Sequence, residues 1–375
     1  MTTIRSAFEL MGRAEVQRLQ AAGLGPDWLE EIVRSRLSEG EEANRIRGRL
    51  RRLDDAELPV APVRGTAEWS RQRAVGVELL ASGAVAFCVL AGGMATRMGG
   101  VVKALVEILP GRTFLDLRLD ETERIATFAG QRPPLWLMTS GATDAPIRAA
   151  IESRGAATAA ATFRQYESLR LEPSGAPFVD ADGRPSPHAT GHGDLPQALA
   201  ESGLLQAFLE RGGRYVVIAN LDNVGATIDP ALLALHVERG RELTVEVVAK
   251  RADDRGGIPL AVDGHPMVVE EFRLPASFAA GSVPYFNTNT LIVEAEALAA
   301  SVDFEWTWCL ARKSVGGRSA IQFERLLGEL ARGLSTGFIV VPRDGDRSRF
   351  LPVKDLEELD RIRPAVEARI AALES

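Results

Sequence analysis

VAFCVLAGGMATRMGG, residues 85–100, opens with six apolar residues and then gives way to glycine. An uninterrupted apolar run from Val85 to Leu90 is the pattern of a strand buried on both faces, as in the middle of a parallel sheet. The glycines that follow let backbone N–H groups turn toward an anion without interference from Cβ, which suits a nucleotide phosphate. A plain tight turn after a strand has the same composition, so the loop alone does not choose between the two. Spacing narrows the choice. The dinucleotide pattern G-x-G-x-x-G fails at Ala95 and Met98 when started from Gly93, and no Gly-Lys-Ser/Thr ending follows. What remains is a glycine loop supplied with two cations, Arg97 and Lys103, for a polyphosphate.

Outward from this strand, short apolar runs alternate with amphipathic ones. Strands are expected at Leu135 to Thr139, Tyr215 to Ala219 and Leu243 to Ala249, with helices at about Phe114 to Phe128, Ala145 to Ser153 and Pro230 to Glu238. Such alternation implies crossover connections and a mostly parallel α/β sheet. Before it, apolar residues at helical spacing, among them Ile32, Val33, Leu37, Ile46, Leu50 and Leu53, predict a helical appendage to about Leu58. Proline-rich PVAPVRG, residues 59–65, reads as a linker. A final helix is expected over Leu356 to Leu373. The organisation expected is a helical N-terminal region (1–82), a main domain (83–342) and a C-terminal extension (343–375).

Composition excludes several classes. With 46% hydrophobic and 25% charged positions among 375 residues, the chain is globular in type, too long for a single core. Its 44 basic and 51 acidic residues give a net charge of −7, without the footprint that binding nucleic acid through phosphates needs. Cys88 and Cys309 are too few for a disulfide framework or a four-cysteine zinc site, which fits a reducing, cytoplasmic setting. Charges interrupt the first twenty residues and glycines interrupt Leu79 to Thr96, so neither a signal peptide nor a membrane span is expected.

Four further clusters carry chemistry. In ATGHGD (189–194), glycines flank His192 and allow close approach of a ligand; Pro187, Gly191 and Gly193 oppose the helix that a His188/His192 zinc pair would need. IANLDNVGA (218–226) ends a buried strand with Asn220, Asp222 and Asn223, where open α/β sheets place ligands and where an acid suits Mg²⁺ bound with phosphates. A turn or helix cap is the bland alternative there. In YFNTNTLIV (285–293), Asn287 and Asn289 share one strand face by period two, and paired amides can read sugar hydroxyls. A strand near RFLPVKDL (349–356) would deliver Lys354. The polar stretch from Glu172 to Asp194 reads as a functional loop.

Taken in order, LAGGMATRMG, TFLDL (113–117), PLWLMTS (134–140), FRQ (163–165), GHGD, NLDNVGA, KRADDRGG (250–257), FNTNT, IQFE (321–324) and RFLPVKDL resemble the UTP–glucose-1-phosphate uridylyltransferases, the UDP-glucose pyrophosphorylases. The resemblance implies a Rossmann-like nucleotidyltransferase domain of the glycosyltransferase-A-like type. It also implies formation of UDP-sugar and pyrophosphate from UTP and a hexose 1-phosphate, with Mg²⁺. Carried over by position, Leu90, Ala91, Gly92 and Gly93 hold the nucleotide, Gln165 reads the uracil edge and Gly191 lies near base or ribose. His192, Asn220, Asn289 and Gly257 take the sugar phosphate, Asp222 the metal, and Lys103, Lys354 and Arg97 the reacting phosphates.

The chain departs from that pattern at Ala95 and Thr290, at Val102 in place of a proline, at Arg255 in place of a lysine, and in a path from Gly99 to Lys103 shorter by one residue. Many relatives continue into a left-handed β-helix; about twenty residues after the lysine motif leave no room for one, so a monomer or weak dimer is expected. A non-catalytic nucleotide-sugar binding or regulatory protein is the competing expectation, as is a uridylyltransferase for another sugar 1-phosphate. A nicotinamide oxidoreductase has only the general α/β pattern behind it.

Overall fold

The structure, a computed structural model, describes residues 3–95 and 100–374. Its centre is a sheet of seven strands: β1 (Val85–Leu90), β2 (Leu135–Thr139), β3 (Ala160–Arg164), β4 (Tyr215–Asn220), β5 (Leu243–Ala249), β6 (Tyr285–Glu294) and β7 (Thr336–Val340), in the order β7-β5-β6-β4-β1-β2-β3. Neighbours run parallel except β6, which is antiparallel to both β4 and β5. Successive side chains of a strand point to opposite faces. Ala86, Cys88, Val216 and Ile218 therefore enter one buried apolar layer, and Val85, Phe87, Val89, Val217 and Ala219 enter the other. Burial on both faces is why these strands read as unbroken apolar runs.

Helices cover both layers. On the first lie α1 (Ile4–Glu9), α2 (Arg13–Ala21) and α3 (Pro26–Arg36), through Phe8, Leu19 and Leu29. On the second lie α4 (Ala67–Ala81), α5 (Phe114–Ala129), α6 (Asp144–Ser153), α7 (Pro230–Arg239) and α8 (Leu356–Glu374), through Leu80, Ile125, Ile147, Leu232 and Val366. Gly76 lets α4 approach α7 closely, since a Cβ there would lie 1.8 Å from the Pro230 carbonyl oxygen.

Three local expectations change. The helical pattern through Ile46, Leu50 and Leu53 gives one 3₁₀ turn, Gly40–Asn44, and an edge strand, Leu50–Arg52, paired antiparallel with Gly257–Val262. Gly48 turns the chain at φ 116°, and the Arg49 N–H donates to Asp263 Oδ1 at 2.8 Å. A partner some two hundred residues away overrides local spacing. The proline-rich linker lies along the sheet edge, where Val60 bridges Val340 in parallel. Around RFLPVKDL no strand forms; Pro352 makes one isolated bridge with Asn223, since proline lacks the donor a ladder needs.

The period-two reading of Asn287 and Asn289 also fails. Val245 faces Leu291 while Val247 faces Asn287, so a bulge opposes Thr288–Thr290 to Glu246 alone, and Asn289 adopts φ 56°. Asparagine tolerates this left-handed conformation better than most residues, and a bulge re-aims a side chain.

Within Glu172 to Asp194, Pro187–Ala189 pairs with Glu167–Leu169. His188 is buried with Nδ1 2.9 Å from the Ala189 carbonyl, and burial pushes its pKa down to about 4. Both cysteines are buried and free, and burial pushes their thiols up. Among the described residues no helix is long and apolar enough to cross a membrane.

Candidate active site

Parallel pairing sets Leu90 opposite Asn220, so the loops after β1 and β4 emerge side by side at one rim. This is where open α/β sheets bind ligands. The Ala91 N–H donates to the Met138 carbonyl at 2.8 Å and the Thr143 hydroxyl to the Ala91 carbonyl at 3.2 Å, fixing the start of the glycine loop. A Cβ at Gly92 would stand 2.3 Å from Gln165 Nε2, so the glycine lets the Gln165 amide lie this close to the loop. Gln165 follows β3, and its side-chain amide has no hydrogen bond to a protein group among the described residues. Arg97 lies outside the described residues.

The β4 loop meets the glycine loop through charge. Lys103 Nζ lies 2.6 Å from Asp222 Oδ2, with the lysine side chain 14% exposed, and the Lys103 N–H donates to the Gly93 carbonyl. The shortened path before Lys103 thus still delivers the ammonium to the end of β4. The Val353 N–H donates to the Asp222 carbonyl at 3.0 Å, which places Lys354 next to this pair with its side chain exposed. On the other side, Asn289 Nδ2 donates to Asn220 Oδ1 at 2.8 Å, and the Asn289 N–H to Asn287 Oδ1 at 2.9 Å.

Asn223 serves the scaffold. Its Oδ1 accepts from the N–H groups of Gly225 and Leu351, and its Nδ2 donates to the Arg349 carbonyl. Three arginines hold this loop from below. Arg118 donates to the carbonyls of Asn220, Asn223 and Ala226; Arg349 donates to the Thr227 carbonyl while pairing with Glu246 at 2.5 Å; Arg369 donates to Gly225 and Thr227. Sequence reading missed all three, because arginine is ordinarily a surface residue. The one available signal was that Arg118 follows TFLDL directly and Arg349 opens RFLPVKDL.

The Gly191–Asp194 turn is wedged against Arg325. Gly191 has φ 102°, and a Cβ there would lie 2.4 Å from the Arg325 carbonyl oxygen. Asp194, fully buried, accepts from Tyr166 N–H, the Thr190 hydroxyl and Arg325 Nε, which ties the turn to the residue after Gln165. His192 Nδ1 accepts from the Leu327 N–H at 2.7 Å. Burial lowers the His192 pKa, so the ring is neutral near pH 7, and with Nδ1 accepting, the proton sits on Nε2 as a donor.

Gly257 faces Glu270 across the antiparallel hairpin of Gly257–Val262 and His265–Glu270. A Cβ at Gly257 would lie 2.7 Å from Val268, 3.0 Å from Glu270 Oε1 and 3.2 Å from Asn287 Nδ2, so Glu270 and Asn287 converge on the glycine. The Glu270 carboxyl has no hydrogen bond or ion pair among the described residues, and burial pushes it up to about 7 despite the opposing pull of Arg273. It too was missed; its only sequence signal is its place at the end of HPMVVE (265–270).

The expected residues thus form linked groups: Gly92 with Gln165; Gly93, Lys103 and Asp222 with the Lys354 backbone; Asn220 and Asn289 with Asn287, Gly257 and Glu270; Gly191 and His192 with Arg325. Among the described residues no three His, Cys, Asp or Glu cluster as a complete metal cage.

Comparison with known proteins speaks to the family and the fold. The family model for UTP–glucose-1-phosphate uridylyltransferase matches residues 53–364. A UTP–glucose-1-phosphate uridylyltransferase from Pyrus pyrifolia is 32% identical over 285 residues, 72% of this chain and 60% of that protein. The matched part therefore spans about 60% of the length of such relatives. Among solved structures, a UDP-glucose phosphorylase from Trypanosoma brucei is similar at TM-score 0.75 and 24% identity, over 93% of this chain and 78% of that one. A uridine diphosphate N-acetylglucosamine pyrophosphorylase from the same organism, solved with an inhibitor, aligns at TM-score 0.75 and 22% identity, over 96% of this chain and 81% of its own. At these identities the two structures speak for the fold.

Proposed function

The chain belongs to the UTP–glucose-1-phosphate uridylyltransferase family, and from that premise we propose that it makes UDP-sugar and pyrophosphate from UTP and a hexose 1-phosphate, with glucose 1-phosphate as the hexose. The observation that carries this reading is the Lys103–Asp222 pair at 2.6 Å. It stands where the glycine loop meets the Asn220–Asn289 contact, between a nucleotide half and a sugar half.

In the nucleotide half, the backbone from Leu90 to Gly93 takes the triphosphate, and the Gln165 amide, with donor and acceptor both available, pairs with the uracil edge. Gly191, whose lack of a Cβ lets the turn close against Arg325, lies beside base and ribose. In the sugar half, His192 Nε2–H, Asn220 and Asn289 orient the sugar phosphate. Asn287 and the Glu270 carboxyl at Gly257 accept from and donate to sugar hydroxyls. A phosphate oxygen of the sugar phosphate attacks the α-phosphorus of UTP in line with the departing pyrophosphate; the new P–O bond forms as the α–β bridge breaks. No covalent intermediate with the protein is needed, so rate comes from alignment and charge neutralisation by Lys103 and Lys354.

One carboxylate suits Mg²⁺, which is usually held by one or two acids plus substrate phosphates rather than by an all-protein cage. Asp222 would hold it, and the ion would supply charge neutralisation across the phosphates. The competing non-catalytic reading loses ground because the cation it would lack, Lys103, reaches the rim.

Pyrophosphate release from UTP, Mg²⁺ and a panel of glucose, galactose and N-acetylglucosamine 1-phosphates tests the proposal. Release with glucose 1-phosphate supports it; binding of UDP-glucose without turnover on any member of the panel would replace it with the binding-protein reading.

A further inference from the structure

Gln165 is held by its backbone alone. Its side chain has no protein partner among the described residues, while its N–H donates to the Thr139 carbonyl at 2.9 Å. Its carbonyl is held from the opposite side by Arg18 of α2, whose Nη1 donates to the Gln165 oxygen at 3.2 Å and whose Nη2 donates to the Arg164 oxygen at 2.5 Å. The same guanidinium donates through Nε to Glu201 Oε1 at 3.0 Å and lies over the Tyr166 ring at 4.5 Å. The Tyr166 hydroxyl donates to Glu201 Oε2 at 2.8 Å. One turn earlier on α2, Glu15 pairs with the Arg164 side chain at 2.7 Å. Two successive carbonyls pointing at one planar fork fix the peptide planes on either side of Gln165 and therefore the direction of its Cα–Cβ bond. From there the amide reaches Gly92.

We infer that Arg18 is a positioning residue for nucleobase recognition, acting through Gln165, so that the N-terminal helix α2 is part of the nucleotide site. The inference rests on the uridylyltransferase reading, in which Gln165 reads the base. Arginine is required because a lysine ammonium is a point donor on a flexible stem and cannot serve two carbonyls, a carboxylate and a ring face in one plane. Tyr166 supports the effect. Its N–H donates to Asp194 and its ring also lies 5.7 Å from the Arg325 guanidinium, so the residue that carries the clamp is itself held in place.

The test is a double-mutant cycle on the full chain, with UTP binding measured by calorimetry and the Michaelis constants of UTP and glucose 1-phosphate measured separately. Arg18→Met should weaken UTP binding about tenfold, equivalent to about 1.4 kcal/mol. The KM for glucose 1-phosphate should change by less than about twofold, within the scatter expected of independent sites. In a Gln165→Ala background the same substitution should cost less than about twofold in UTP affinity, because the residue it positions is gone. Arg18→Lys, which keeps the charge and the helix, should lose UTP affinity as well, and serves if the methionine variant does not fold.

Losses that multiply between Arg18→Met and Gln165→Ala would overturn the inference, as would a lowered melting temperature with UTP affinity intact in either Arg18 variant. Absence of UTP binding by the unaltered protein is a different result: it removes the uridylyltransferase reading and the inference with it.

Discussion

Replacing Glu270 with glutamine keeps the shape of a side chain that sits against Gly257 and Asn287 but removes its charge. In the unaltered chain, burial pushes this carboxyl from the ordinary 4.5 up to about 7, with Glu271 adding to the rise and Arg273 opposing it. The folded chain therefore holds the proton more tightly than the unfolded one. Below pH 4.5 both states carry the proton and the group costs nothing. Between 4.5 and 7 only the unfolded state releases it, so stability falls as pH rises, and above 7 the full penalty stays. At about 1.36 kcal/mol per tenfold change in proton affinity, the ceiling is about 3 kcal/mol. Part of the side chain reaches solvent, which lowers the expected cost to about 1–3 kcal/mol.

Urea unfolding of Glu270→Gln and the unaltered chain at pH 5 and pH 8 measures it. Because part of the penalty is already present at pH 5, the difference in stability should move in favour of glutamine by about 1–2 kcal/mol between the two pH values. If sugar hydroxyls donate to the carboxylate, the affinity of the unaltered chain for glucose 1-phosphate, relative to that of the variant, should rise across the same interval. Parallel stability curves for the two proteins would refute the account of a buried, unpartnered acid.

Three other substitutions address separate parts of the rim. Lys354→Ala removes the charge of an exposed residue whose backbone neighbour, Val353, is bonded to Asp222, and should lower kcat tens-fold or more, a loss of about 2–4 kcal/mol in transition-state stabilisation, with an unchanged melting temperature; near-normal turnover would count against its phosphate role. Asp222→Asn should reduce activity and Mg²⁺ dependence together, so a Mg²⁺ titration that superimposes on that of the unaltered protein would sink the ligand assignment. Gly191→Ala places a Cβ at φ 102° and 2.4 Å from a carbonyl oxygen. It should cost about 2 kcal/mol or more in thermal or urea unfolding and raise the KM for UTP, whereas unaltered stability would mean that the turn can relax.

The parts of the fold legible in sequence were those dictated by local periodicity. β1, β2, β4 and β5 lie where apolar runs placed them, and α5 to α8 where helical spacing did. Leu50–Arg52 was not legible because its strand conformation comes from a distant partner. Asn289 was assigned to the right rim for the wrong geometric reason: a bulge and a left-handed residue, not alternation, aim it at Asn220. At the site, glycines and amides could be read because their chemistry is unusual after a buried strand. Arg118, Arg349 and Arg369 could not, because a buried arginine and a solvated one have the same letter, and only the carbonyls that converge on them distinguish the two. Glu270 was hidden for the same reason.

Asn223 Nδ2 and the Arg349 carbonyl it binds are 126 residues apart. The loop bearing Asp222 is therefore finished by chain that leaves the ribosome long after β4 itself has been made. Closing so large a loop costs entropy that only completed packing returns, which makes this brace a late event in folding. A nascent or half-folded molecule, even one whose sheet has begun to form, would then carry Asp222 on an unbraced loop.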